Sequence, residues 1–259
     1  MRLSHAHEFA VVKFARRGDA PLNRHTLELW LRSPRGRRLL ALEERELKRV
    51  LPDLFGRHVL QVGSWGRGDS LLASSEMLHR AVLGTVAESG AAALTEPERL
   101  PVQEKSVDAV LLPHCLEFSR SPYPVLREVN RVLSDRGRLV VLGFSPWSFW
   151  AWRQWLGLRY RAFPPGARFI SLGRLSDWLE LLDFEICEAR RYGVGFPWTR
   201  PFSDETGGPA RFFRGWSECY LVVAKKRVIP MTLVGRVPRA AVRPLIGGVS
   251  VPGAHTRTP

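Results

Sequence analysis

Apolar positions along this chain fall into two patterns: short unbroken runs rich in β-branched residues, and longer stretches in which they recur every three or four positions. The runs Val107 to Leu112 and Leu139 to Phe144 are bounded by turn formers, as buried strands are. Between them Val125, Leu126, Val129, Val132 and Leu133 recur at helical spacing. Pro122 is placed to open that helix, and Asp135-Arg136-Gly137 to close it with glycine in a left-handed cap. A strand, helix, strand unit of this kind predicts parallel strands joined by a right-handed crossover.

Upstream, Ser33-Pro34 reads as a helix start, and Leu39, Leu40, Leu47, Val50, Leu51 and Leu54 give the following stretch an apolar stripe suited to packing on a sheet. His58 to Val62 then reads as a strand running into Gly63-Ser64-Trp65-Gly66-Arg67-Gly68. Val82 to Val86 reads as another strand, but only Ala87 to Gly90 separates it from the apolar Ala91 to Leu94. No crossover helix fits in that space, so a tight hairpin or a lost strand is expected at this edge.

The order LP, SVDAV, HCLEF and LREVNRVLSDRGRLVV, from Leu100 to Val141, resembles the second half of the class I methyltransferases that use S-adenosylmethionine, specifically the type 11 domain. Segments such as GFSPWSFW and KKRVIPMTL further resemble a poorly characterised bacterial methyltransferase-like group. The resemblance spans about Val59 to Arg227, with Phe169 to Phe184 as a helix and Glu185 to Val194 and Cys219 to Lys226 as the last two strands. It implies an α/β fold with a Rossmann-like sheet, helices on both faces, strand order 3-2-1-4-5-7-6 and the last strand antiparallel. The second and third strands are expected to be abbreviated.

The same resemblance implies a site. Its cofactor, S-adenosyl-L-methionine, is wrapped by a glycine loop after the first strand, where backbone must approach the ligand without a Cβ and a following helix offers free N–H groups. Gln61, Gly63, Ser64, Gly66 and Gly68 occupy that loop here, although Gln61 stands where the family carries an acid and Trp65 is bulky. Glu96 falls where the family has a carboxylate facing the adenine, Glu88 is a weaker substitute for the missing ribose-binding acid, and Pro113 and His114 follow the fourth strand. His114 is a candidate catalytic base or a hydrogen-bonding pocket wall; Glu117, Phe144, Trp147 and Trp150 are candidates for the substrate pocket. Methyl transfer from a sulfonium needs alignment in a dry pocket more than acid or base help, so the lack of a nucleophilic triad is no obstacle.

Composition narrows the setting. Cys115, Cys187 and Cys219 are odd in number and widely spaced, which suggests neither disulfides nor a metal site. No apolar run reaches membrane-spanning length, and a cytoplasmic protein is expected. The net charge of +14 is concentrated at the ends, leaving residues 58–224 close to neutral. Nucleic acid could be gripped by those ends but is not the favoured partner; solvated extensions are the simpler reading. The expected organisation is a loosely ordered basic arm (1–32), a methyltransferase-like domain (33–227) and a basic, disordered tail (228–259). Within the domain, 33–55 is the N-terminal helix, 58–227 the core and 146–168 an aromatic insert. That insert, carrying Trp147, Phe149, Trp150, Trp152, Trp155, Tyr160 and Phe163, reads as core filling, a substrate lid or a membrane-docking segment. The expected activity is methyl transfer to a small or lipid-like acceptor. The alternative is a degenerate methyltransferase-like protein that binds or regulates.

Overall fold

The computed structural model of this chain describes residues 24–84, 91–155, 163–164, 166–194 and 217–227. Contacts divide the chain into units Met1–Val228 and Ile229–Pro259, and the described residues all belong to the first. Its sheet comprises β1 His58–Val62, β2 His79–Gly84, β3 Ala93–Leu94, β4 Val107–Pro113, β5 Leu133–Phe144, β6 Phe184–Val194 and β7 Ser217–Lys226. The order is β3-β2-β1-β4-β5-β7-β6. Neighbours from β3 to β5 are parallel, and β7 runs antiparallel to both β5 and β6. This is the expected Rossmann-like methyltransferase sheet, with its antiparallel last strand.

The central strands are apolar on both sides because both sides are covered. Along β4, Ala109 and Leu111 join one core while Val110 and Leu112 join the other. The first core takes in Leu27 and Leu31 of α1 (Arg24–Arg32) and Leu39, Leu47 and Val50 of α2 (Pro34–Val50). The second takes in Val125, Leu126, Val129 and Val132 of α4 (Pro122–Val132) and Leu175 and Leu179 of α6 (Leu172–Leu181). The short α3 (Cys115–Phe118) and α5 (Phe149–Trp155) follow β4 and β5.

α2 starts as its sequence says it should: Pro34 lies in the first turn and the Ser33 hydroxyl accepts the Gly36 N–H at 3.2 Å. Ahead of it the chain departs from expectation, since residues 24–32 of the supposed loose arm form α1. The close seat of α1 on α2 depends on Gly36, where a Cβ would come within 2.4 Å of the Trp30 carbonyl oxygen. Residues 1–23 and 228–259, and with them the rest of the arm and the tail, lie outside the described residues.

Three local expectations are corrected. Gly137 does not cap α4 in a left-handed turn; Leu133 is already extended, and Gly137 lies inside β5, where a Cβ would meet Leu133 Cδ2 at 2.8 Å. The carbonyls at the end of α4 are satisfied instead by Lys226, whose Nζ donates to Asn130 O at 2.7 Å and Leu133 O at 3.2 Å, and by the Lys105 and Ser106 N–H groups, which donate to Arg131 O and Val132 O. The edge beyond β2 is neither a hairpin nor a lost strand. Leu83 and Gly84 pair with Ala93 and Leu94 in parallel, and residues 85–90 between the two strands lie outside the described residues. Finally, the glycine loop after β1 leads not into a helix but into a single 3-10 turn, Ser70–Leu72, which buries Leu71 and Leu72. The surrounding Gly66, Gly68, Ser70, Ser74 and Ser75 are poor helix formers, and the stretch carries too few apolar positions to hold one by packing.

Candidate functional site

In open sheets of this kind ligands sit beyond the carboxyl ends of the parallel strands. Gly63 to Gly68 leave β1 at that edge, Thr95 and Glu96 follow β3, Pro113 and His114 close β4, and Ser145 to Trp147 follow β5. The structure brings the loop, His114 and Phe144 into direct contact. The Trp65 ring lies 4.4 Å from that of His114 and 6.1 Å from that of Phe144, and the His114 ring stacks on Phe144 at 3.9 Å. Trp65 is 2 % exposed and His114 and Phe144 are fully buried.

At the centre is a carboxylate that the sequence reading passed over. Glu43, fully buried on α2, accepts the indole N–H of Trp65 on Oε2 at 2.7 Å and faces His114 Nε2 with Oε1 at 2.6 Å. Glu117, also buried, accepts the Phe144 N–H at 2.7 Å, and the same oxygen lies 3.4 Å from His114 Nδ1. Burial works against a charged imidazole, but the two carboxylates outweigh it and raise the His114 pKa to about 9. His114 is therefore an imidazolium at neutral pH, a donor with no lone pair for an incoming proton. It also holds a left-handed backbone, φ 53°, ahead of α3, a conformation that non-glycine residues adopt only when their surroundings impose it. A signal for Glu43 was present in the sequence: it falls four residues after Leu39 and four before Leu47, a carboxylate at the spacing of the apolar stripe.

Gln61 is fully buried at the end of β1, and its amide donates to the carbonyl oxygens of Gly63 at 3.2 Å and Trp65 at 3.1 Å. It props the loop rather than facing a ligand. Three of the loop's own donors are also engaged: Gly63 N–H goes to Leu83 O, Trp65 N–H to Gly63 O and Arg67 N–H to the Ser70 hydroxyl. Gly63, Gly66 and Gly68 all have positive φ (108°, 85° and 53°), as a loop that presents backbone closely requires. Ser64 is half-buried. Measured against the expected cofactor, the glycine backbone fits. The side chains at the methionyl end do not, because Trp65 fills the ground between the loop, His114 and Phe144.

The remaining candidates scatter. Glu96 is exposed in a tight bridge with Arg99, Pro113 is buried at the end of β4, and Trp147 is 63 % exposed beyond β5. Trp152 on α5 is also exposed, whereas Phe163 is buried against Phe144 with ring centroids 5.1 Å apart. Glu88, Tyr160 and residues 156–162 of the insert lie outside the described residues, as do the side chains of Trp150 and Trp155. Burial pushes the Cys115 thiol up, beyond reach of ionisation near neutrality. Among the described residues no group of His, Cys, Asp and Glu is arranged to hold a metal, and no helix is long and apolar enough to cross a membrane.

Comparison with known proteins agrees with the fold and adds a family. A methyltransferase domain of type 11 matches residues 73–141, which leaves β1 and the glycine loop outside the matched span. The uncharacterised protein YafS of Escherichia coli K12 is 33 % identical over 210 residues, covering 80 % of this chain and 83 % of YafS. Among solved structures, an S-adenosylmethionine-dependent methyltransferase of Thermotoga maritima superposes with a TM-score of 0.59 at 19 % identity, over 78 % of this chain and 95 % of that one. The [4+2]-cyclase SpnF superposes with a TM-score of 0.51 at 17 % identity, over 72 % and 81 %. S-adenosyl-L-methionine is the cofactor that this family and fold imply. A Rossmann-like sheet in the 3-2-1-4-5-7-6 order, a glycine loop at its ligand edge and this kinship to YafS and the type 11 domain have one meaning: the chain belongs to the class I S-adenosylmethionine-dependent methyltransferases.

Proposed function

We propose that this protein transfers a methyl group to a small or lipid-like acceptor. The observation that carries the reading is the glycine loop with positive φ at Gly63, Gly66 and Gly68, set beside His114 and Phe144 at the carboxyl edge of a methyltransferase sheet. S-adenosylmethionine, when bound, supplies an already activated sulfonium methyl, so the protein's task is to bind, align and exclude water. In this reading Gly66 and Gly68 let backbone approach the cofactor and Glu96 reaches its adenine end. Phe144 and the exposed Trp147 give the acceptor side an aromatic wall, which suits a flat or lipid-like molecule. His114, held as an imidazolium, orients Glu43 and Trp65 rather than accepting a proton. A cytoplasmic site of action fits this reading, with nucleic acid less favoured as a partner.

A second reading has its own support. Gln61 in place of an acid and Trp65 buried in the crevice favour a methyltransferase-like protein that binds or regulates without turnover. Calorimetric titration with S-adenosylmethionine and S-adenosylhomocysteine separates the two. Saturable micromolar binding, lost in Gly66→Trp, supports the enzyme; no heat and no thermal stabilisation at millimolar ligand supports the degenerate reading.

A further inference from the structure

The misfit at the methionyl end has a specific geometry. Trp65 sits where the loop after β1 faces the ends of β4 and β5, buried to 2 % and in ring contact with His114 and Phe144. A methionyl chain and an indole side chain are of comparable bulk, so both cannot occupy that ground. Trp65 is also fastened: its indole N–H is held by Glu43 of α2, whose other oxygen is held by His114. The carboxylate therefore faces a ring nitrogen of His114 with one oxygen and receives the indole N–H on the other. A cofactor's α-ammonium is a charged donor able to take the indole's place, which would leave Glu43 satisfied after Trp65 departs.

We propose that Trp65 is a gate on the amino-acid end of the cofactor, latched by Glu43 and His114, so that the closed site discriminates against the methionyl group until the ring leaves. This rests on the cofactor reading above, and it makes α2 part of the binding site rather than mere covering. The adenosine end, reached from Glu96 and the β3 edge, is not governed by the gate. Trp65 becomes a residue that sets affinity and specificity within the site.

The test compares S-adenosylhomocysteine with 5′-methylthioadenosine, which keeps the adenosine and thioether but lacks the amino-acid end. Calorimetry is done on the full chain as wild type, Trp65→Gly and Trp65→Phe. Expected is a preference for S-adenosylhomocysteine over methylthioadenosine that rises at least tenfold in Trp65→Gly. Trp65→Phe, which keeps most of the bulk but loses the bond to Glu43, should fall between. Should Trp65→Gly fail to fold, wild type against Trp65→Phe still decides the matter through the same ratio. An unchanged ratio with firm binding of S-adenosylhomocysteine to wild type would overturn the gate and leave the methyltransferase reading standing. Failure of every variant to bind either ligand at millimolar concentration overturns both.

Discussion

Why a glutamine stands where its relatives by resemblance carry an acid is answered by the two carbonyl oxygens that Gln61 serves. A carboxylate has no hydrogen to donate, and in that buried place would oppose two acceptors. Gln61→Glu is expected to lower unfolding free energy by about 2 kcal/mol or more in urea titrations, the usual penalty for an unmatched buried polar group. His114 carries a pH signature. Its folded pKa, about 9, exceeds the unfolded value of about 6.5, so its contribution is complete below about pH 6.5 and is lost as pH rises through about 9, amounting to about 3 kcal/mol. Glu43 from α2 and Glu117 from α3 bear on it directly, and Cys115, Tyr192 and Cys219 lie in the field of those carboxylates, where burial holds the phenol and thiols neutral across that range. In Glu43→Gln the alkaline loss of stability is expected to shift to lower pH, measurable as denaturation midpoints between pH 6 and 10; an unmoved profile would mean that Glu43 is not the charge that sustains it.

Helix ends and strand ends carry predictions of their own. The Ser33 hydroxyl caps α2, and Ser33→Ala is expected to cost about 1 kcal/mol in chemical denaturation. Lys226 joins the end of β7 to the final carbonyls of α4, so Lys226→Met should cost about 1–2 kcal/mol and raise hydrogen exchange at the C-terminal turn of α4 more than elsewhere. β5 and β7 pair antiparallel from Arg138 to Phe144. At Gly143 a Cβ would lie 2.3 Å from the Tyr220 ring, so Gly143→Ala forces the ring or the strand aside and should lower the thermal midpoint by several degrees. At this scale the sequence was legible wherever an apolar run or periodic stripe stood alone, as in β1, β4 and α4. It was misleading where tertiary partners intervened. Gly137 looks like a cap only until Lys226 supplies one, and α1 is too short to announce itself until Leu27 and Leu31 find α2.

For the whole molecule, the division into Met1–Val228 and Ile229–Pro259 means that the basic C-terminal stretch can be tested apart from the sheet. Deleting 229–259 is expected to leave the thermal midpoint of the first unit within a few degrees while flattening any salt-dependent binding to nucleic acid; a collapse of the midpoint would show the tail to be part of the fold. Architecture is written in the chain's own pattern, because unbroken apolar strands and a helix of regular period can bury their surfaces only by stacking into a sheet covered on both faces. The same pattern also sets which edge carries the glycine loop and His114. How that edge is packed emerges only in three dimensions. Glu43 is far from Trp65 and His114 in the chain, and its meaning arises from one buried junction where a carboxylate on α2 meets an indole from the β1 loop and an imidazole at the end of β4. Charges and rings act over a few ångströms in space, and sequence separation carries no record of that distance.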